Sequence, residues 1–388
     1  TDRGQLRCVV GIAGAGKTTA LGVCQNIWKT EGYAVYGLAP TGKAAQNLEQ
    51  SGISSQTLHK FLKSFEEGRY QYNSNSVLVL DEAGMVDIEH FEKLLDAVQQ
   101  LGVKLIVVGN GAQLQPVEAG PAFRLVTQRL GKAELNTVLR QKEDWQRDAT
   151  VLFGKQETQA AIQKYVDKGH VHIVEEQQYT EGMDKRRHTK EALIQAWHTH
   201  FKENSEKQSL ILDHTNRDMN DLNTFARTLL KESGHISKEE FTYTIAKTVE
   251  DDFGHKQTTK EEKAFSKGDR IVFTRNNYGL GVKNGTMGTI TNLDKQTVQV
   301  KLDGEENKEI SFAPNLNPYF DQGWAITIHK SQGTTVDHTY VLASYGMNQN
   351  LTYVAVTRHR DNVHVFGSSS DFRSLEKLPE VLSKSGEK

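Results

Sequence analysis

Cysteine is nearly absent: Cys8 and Cys24 are the only two in 388 residues. Both lie in apolar strand-like or helix-like surroundings. That reads as two reduced, buried thiols of a cytoplasmic protein and argues against a disulfide framework or a cysteine-based metal site. Long hydrophobic runs are missing too. No stretch approaches the roughly 20 apolar residues that a membrane helix needs, and the N-terminus lacks a secretion-signal pattern, so no membrane insertion is expected. Charge of one sign is also lacking. With 47 Lys and Arg against 49 Asp and Glu the net charge is −2, so any nucleic-acid binding must come from a local groove. Internal repeats are not found. What is present is 37% hydrophobic and 25% charged residues with 15 Phe and 12 Tyr, the composition of a folded chain. Its length exceeds one ordinary core, so two domains plus an insertion are expected.

Residues 6–110 alternate apolar strand-like runs (Arg7–Gly11, Ala34–Ala39, Ser76–Leu80, Val103–Val108) with helical patterns, the signature of a parallel sheet with crossover helices. Residues 141–206 read mostly as helix, and "SLILDHT" (209–215) and "TYVLAS" (339–344) as strands of a second sheet. Between them, 267–312 consists of short alternating strands split by Gly and Asn-Gly, the pattern of a small antiparallel barrel. From Asp371 onward the Lys/Glu/Ser-rich tail is expected to be frayed.

The strongest motif is "GIAGAGKT", Gly11–Thr18, between a strand and a helix. Its glycines (Gly11, Gly14, Gly16, with Ala15 between the last two) leave backbone N–H groups free to wrap phosphates, and the helix N-terminus adds positive dipole. Lys17 would reach the β- and γ-phosphates of ATP, and the Thr18 hydroxyl would bind Mg²⁺. Thr19 completes the candidate nucleotide-binding set on this loop. In "VLVLDEAGMVD" four apolar residues push Asp81 and Glu82 to the C-terminal end of a strand, where ligands bind in open α/β sheets. Asp81 can hold the Mg²⁺ shell and Glu82 can orient or deprotonate the attacking water. Taken alone, an Asp-Glu pair there would more often be a solvated loop.

The run "LIVVGNGAQLQPVEAG" ends a third strand beside these two. Gln113, neutral with donor and acceptor, can approach the γ-phosphate and sense its presence; a water-facing turn glutamine is the bland alternative. Arg140 in "VLRQ" and Arg358 in "LTYVAVTRHRD" are candidates to stabilise charge on the transferred phosphoryl group, although each alone could be a surface ion pair. "GHVH" (His170, His172) and "WHTH" (His198, His200) have no third ligand at usable spacing and read as solvated histidines rather than metal ligands.

The ordered motifs "GIAGAGKT", "APTGKAAQNL", "QTLHKFL", "LDEAGMVD", "GNGAQLQPVEAG", "LRQKEDWQRD", "WAITIHKSQGTTVD" and "LTYVAVTRHRD" resemble those of superfamily-one DNA helicases of the RecD-like branch. The likeness is greatest to the helicase portion of TraA/TraI-type conjugative relaxases and spans about residues 6–367. It implies an α/β fold of two RecA-like parallel-sheet motor domains, 1–140 and 141–266 with 313–370, and ATP in the cleft between them. The barrel at 267–312 would be inserted in the second, and 371–388 would form a flexible tail. Single-stranded DNA would lie across the top, with movement 5′ to 3′ in the branch as a whole. It also implies DNA contacts at Pro40, Thr41, Lys43, Thr57, His59, Thr327, His329 and Lys330, and a nucleotide contact at Gly333. Small hydroxyl and basic groups at strand ends suit phosphate contacts, which set register without reading bases. Phe61 and Tyr278 could stack bases but are more often core or hinge residues. Residues 62–75 occupy the place of a strand-splitting pin and are short for one.

Two departures stand out. The family usually has Asp where this chain has Asn110, which keeps the shape and removes a charge beside the Mg-phosphate centre. Family members also carry a helix with an adenine-reading Gln upstream of the first strand; here the chain begins only ten residues before Gly11, and Gln5 lies too close to the strand for that role. The chain is therefore expected to be a fragment of a larger relaxase-helicase that works with conjugation-machinery partners. A hydrolytically weak, nucleotide-gated DNA-binding scaffold and the motor subunit of a repair nuclease are the rival readings.

Overall fold

The computed structural model describes residues 4–112, 122–176, 184–204, 206–250, 256–277, 279–304 and 308–385. In the first half, β1 (Leu6–Gly11), β2 (Ala34–Ala39), β3 (Ser54–Thr57), β4 (Ser76–Leu80), β5 (Lys104–Gly109) and β6 (Ala133–Leu135) form a parallel sheet in the order β3-β2-β4-β5-β1-β6. Central β4, "SVLVL", is buried at every position. Helices on both faces require such a continuous apolar run rather than an alternating one. The edge strands β3 ("SSQT") and β6 ("AEL") are short, and no residue of either is buried, as befits edges, which is why hydrophobic patterning does not reveal them. The crossover helices follow the same logic. Ile88–Leu101 is capped by Asp87, whose carboxylate accepts from His90 N–H at 2.9 Å; it buries Phe91, Leu94, Ala97 and Val98 on one stripe and stops at Gly102 with φ 65°.

Strand order sorts the candidate residues. Register pairs Val10 with Gly109 and Leu80 with Val107, so the ends of β1, β4 and β5 emerge side by side. They carry the phosphate loop, Asp81 and Asn110. The ends of β2 and β3, on the outer half of the sheet, carry Pro40–Lys43 and Thr57.

The second half begins with β7 (Val171–Val174) and β8 (Ser209–Asp213) and then turns antiparallel. A two-stranded ribbon, β9 (Phe241–Glu250) with β10 (Lys256–Phe265), precedes β11 (Arg270–Phe273), β12 (Met287–Leu293), β13 (Val298–Leu302), β14 (Glu309–Phe312) and β15 (Phe320–Gln322). The last five pair in the order β14-β13-β12-β11-β15 around Phe265, Ile271, Ile290, Val300, Phe312 and Phe320. The expected small barrel is thus, among the described residues, a five-stranded sheet with β14 and β15 as its edges. Its antiparallel material reaches beyond 267–312 on both sides. The chain then returns through β16 (Ala325–Thr327), β17 (Val336–Leu342) and β18 (His359–Ser368) to complete a parallel sheet, β16-β8-β17-β18-β7. Thr327 leaves this sheet at its C-terminal edge, whereas Arg358 enters at the opposite, N-terminal edge.

Several expectations need correction. The pin at 62–75 is not a hairpin: its start continues the helix Leu58–Glu66, and Tyr72 packs edge-on against Tyr36 with ring centroids 4.9 Å apart. The tail is not frayed as far as Ser385, because Phe372, Leu378 and Leu382 are fully buried in the second core. Both thiols are free, but only Cys8 is buried and Cys24 is partly exposed. Phe61 is a core residue at 0% exposure, and Tyr278 lies outside the described residues. Gln5 anchors the start of β1 by donating to Val98 O and Val103 O, each at 3.0 Å. Asp184, Asp218 and Asp221 converge as metal ligands could, but Lys190 Nζ sits 2.6 Å from a carboxylate oxygen of each and supplies the positive charge itself.

The histidines are half-buried or, at His198, buried rather than freely solvated. His170 and His172 both pack on His364, with ring centroids 5.0 and 5.6 Å away, and His200 lies 3.9 Å from His338. Burial pushes His338 and His364 down to about 4 and His359 to about 3. These values lie below those of the unfolded chain, so the unfolded state binds more protons and stability is lost as pH falls from about 6.5 towards 4. Asp81 and Asp213, raised by burial to about 6, act in the opposite sense. At pH 5 the three histidines cost on the order of 2 kcal/mol each and the two carboxylates return about half as much in total. The melting midpoint should therefore drop by roughly 3–5 °C between pH 7.5 and pH 5. A His338→Asn/His364→Asn variant should flatten that slope; an unchanged slope in calorimetry contradicts the assignment.

Candidate nucleotide-binding and motor site

The phosphate loop leaves β1 at Gly11 and reaches the helix Lys17–Thr30 through Gly14 and Gly16, at φ 72° and 71°. These left-handed values suit glycine. Space demands it as well: a Cβ on Gly14 would come 2.6 Å from Arg140 Cβ. No side chain caps the helix at Gly16, so its first N–H groups point into the cleft as an anion site. Lys17 curls over the loop and donates to Gly11 O at 2.9 Å and Ile12 O at 3.3 Å. Burial lowers its pKa, opposed by the charges of Glu82 and Asp81.

β4 delivers the acid pair. Asp81 is 6% exposed, and its Oδ1 accepts the Glu82 N–H at 2.8 Å. Glu82 adopts φ 51°, ψ 37°, a left-handed conformation that costs a residue with a Cβ about 1 kcal/mol or more. That turn swings its carboxylate into the cleft, where Gln332 of the second half approaches Glu82 Oε2 at 3.5 Å. Burial first, and then the neighbouring Glu82, hold Asp81 up at about 6. Two carboxylates sharing a pocket beside the Thr18 hydroxyl are the donor set that a hard divalent cation fits.

The arginines come from opposite sides and meet. Arg140 Nη1 donates to Thr357 O at 2.7 Å, and Arg358 donates from Nε to Val354 O at 2.9 Å and from Nη2 to Thr357 Oγ1 at 3.2 Å. Residues 140–142 are held alongside 357–360 by Gln141 Nε2 to His359 O at 3.2 Å and Lys142 N–H to Arg360 O at 3.0 Å. Thr357 follows the helix Gln349–Val356, whose terminal carbonyls accommodate two neighbouring guanidinium groups. Burial disfavours charge on both, and Glu82 is the carboxylate that favours it on each.

A cleft of about 1240 Å³ thus brings together Gly14, Ala15, Gly16, Lys17, Thr18, Thr19, Asp81, Glu82, Arg140 and Gly333. Gly11 lies under Lys17, and Arg358 is buried behind the rim at 2% exposure. Gln113 lies outside the described residues. Lys43 does not stand with Thr41 at the outer edge: it lines this cleft, and its Nζ donates to the Thr334 hydroxyl of the second half. Asn47 Nδ2, one helical turn on, donates to Gly333 O at 3.0 Å.

The remaining candidates occupy sheet edges. Thr41, Thr57 and Thr327 each cap a helix through Oγ1, accepting from Ala44, Lys60 and Lys330 N–H at 3.2, 3.3 and 3.5 Å. Capping occupies a lone pair and leaves each hydroxyl proton able to donate. Pro40 lies beside Thr41, His59 is exposed near His90, and His329 is exposed beside a partly buried Lys330. Sequence reading missed Leu139, Thr334, Asn350 and Tyr353. Leu139 is 69% exposed yet lines the cleft beside Gly16, and its N–H donates to Gly14 O at 2.8 Å. Its place next to Arg140 in "VLRQ" was the one signal the sequence offered.

The AAA domain family matches residues 1–176, and the viral superfamily 1 RNA helicase core domain matches 220–367. The conjugal transfer protein TraA of Agrobacterium fabrum is 36% identical over 99% of this chain and 33% of its own length. The ATP-dependent RecD2 DNA helicase of Deinococcus radiodurans is 24% identical over 94% of this chain and 47% of its own. A Bacteroides Pif1 helicase solved with ADP-AlF3 and single-stranded DNA has the same fold, with a TM-score of 0.61 at 18% identity, covering 97% of this chain and 91% of that one. The chain spans about a third of the length of the TraA relatives it matches. It belongs to the RecD-like superfamily-one helicases and is similar to one portion of the TraA conjugal transfer proteins.

Proposed function

We propose that this chain is an ATP-driven motor that moves along single-stranded DNA, working as the helicase part of a conjugative DNA-transfer protein. The observation that carries it is the meeting of Arg140 and Arg358 at Thr357, across from Lys17 and the Asp81–Glu82 pair. Neither half holds a complete site, so hydrolysis needs both halves in place, and their relative movement can be driven by it.

Lys17 and the loop N–H groups bind the β- and γ-phosphates of ATP. Thr18 and Asp81 would hold Mg²⁺, which when bound supplies charge neutralisation at the phosphates. Glu82 accepts a proton from the attacking water, and the two arginines stabilise charge on the phosphoryl oxygens. Leu139 offers an apolar face to the base. Pro40, Thr41, Thr57 and His59 on one sheet, and Thr327, His329 and Lys330 on the other, are the groups assigned to the DNA backbone. The hydrolytically weak scaffold remains the second reading, motivated by Asn110. Phosphate release with and without single-stranded DNA decides between them: a motor shows DNA-stimulated turnover, and a scaffold binds both ligands without it. Unwinding of duplexes tailed at either end tests duplex separation and the expected 5′ to 3′ direction.

A further inference from the structure

Tyr353 lies in the helix Gln349–Val356 of the second half, yet its hydroxyl is spent on the first. It accepts from Ala13 N–H at 2.8 Å and from Asn110 Nδ2 at 2.8 Å. Ala13 belongs to the phosphate loop and Asn110 ends β5. The Asn110 amide cannot be turned round: Ala112 N–H donates to its Oδ1 at 3.0 Å, which leaves only Nδ2 to face the phenol. One turn earlier on the same helix, Asn350 Nδ2 donates to Ala112 O at 3.1 Å. The phenol ring is 1% exposed and stacked on Phe153, with centroids 5.5 Å apart and planes 11° from parallel. The helix therefore grips the phosphate loop and the tip of β5 with its side chains. It ends at the carbonyl and hydroxyl of Thr357, where Arg140 and Arg358 converge.

We propose that Tyr353 is a positioning residue for ATP turnover, one that ties the phosphate loop and the β5 tip to the helix carrying Arg358, so that arginine and phosphates come into register together. The inference rests on the ATP-hydrolysing reading of the cleft. Tyr353 acts through Ala13, Asn110 and Arg358. Removing its oxygen strands two buried donors, each worth about 1–3 kcal/mol when unpaired, while the stacked ring stays. A carboxylate at 110 would reverse the bond, with the phenol donating to it.

The test uses steady-state phosphate release by the 388-residue chain, with a saturating thymidine oligonucleotide and without it. The ratio of the two rates cancels any inactive fraction and so responds to coupling rather than to folding. Tyr353→Phe should lower that ratio about tenfold and change KM for ATP by less than about threefold. Asn110→Ala should do the same, and the loss in the double variant should fall well short of the product of the two single losses, because the Tyr353–Asn110 bond is removed by both. A Tyr353→Phe ratio within about twofold of wild type, or losses that multiply in the double variant, would overturn the inference. Should Tyr353→Phe lose its cooperative melt, Asn110→Ala carries the test at the same threshold. A wild-type chain without turnover refutes the ATPase reading instead.

Discussion

Arg358→Ala is expected to lower DNA-stimulated ATP turnover by about 10³-fold or more while changing ATP affinity by less than about threefold. The asymmetry follows from where the guanidinium sits. It is buried behind the cleft rim and hydrogen-bonded to Val354 O and Thr357 Oγ1, so it contributes little to capturing ATP and most to charge that develops during transfer. Lysine should not rescue it. A single ammonium cannot span a helix-terminal carbonyl, a hydroxyl and a phosphoryl oxygen at once, as a planar fork can. Filter binding of labelled ATP beside phosphate release separates the effects; equal losses in both would place Arg358 in ground-state binding.

Lys17→Ala should abolish turnover as well, with nucleotide affinity falling by about 100-fold. Here the charge lies on the cleft surface, over Gly11 O and Ile12 O, and must leave those carbonyls to meet the phosphates. The exchange predicts little cost to the fold: Ile12 O still accepts from Ala15 N–H, and losing the side chain that covers Gly11 O opens that carbonyl to water, so the melting midpoint should stay within about 3 °C of wild type. A midpoint that collapses would mean that Lys17 chiefly braces the empty loop. Together the two variants separate holding ATP from cleaving it.

Much of the site was legible because glycines, strand-end acids and arginines are set by local rules. "GIAGAGKT" needs left-handed φ at Gly14 and Gly16, and "VLVLDE" needs a fully covered strand; both requirements can be read from a few residues. Less legible were contacts made over long stretches of chain. Lys43 looked like a backbone-binding cation beside Thr41, but its stem crosses the cleft to Thr334, 291 residues away. Nothing local in "LTYVAV" says that the Tyr353 hydroxyl meets Ala13, 340 residues earlier. The tail misled for a related reason: its charged composition hides Phe372, Leu378 and Leu382, three residues sufficient to dock it.

The second parallel sheet presents Arg358 at one edge and Thr327, followed by His329 and Lys330, at the other. A seven-residue strand such as β17 is a stiff rod of roughly 23 Å. Pivoted near its middle, such a slab works as a see-saw: any tilt that carries the arginine end inward swings the opposite rim outward, and about 10° displaces the two rims relative to each other by roughly 4 Å. Chemistry at one lip would then be felt as travel at the other, with no relay of side chains needed between them.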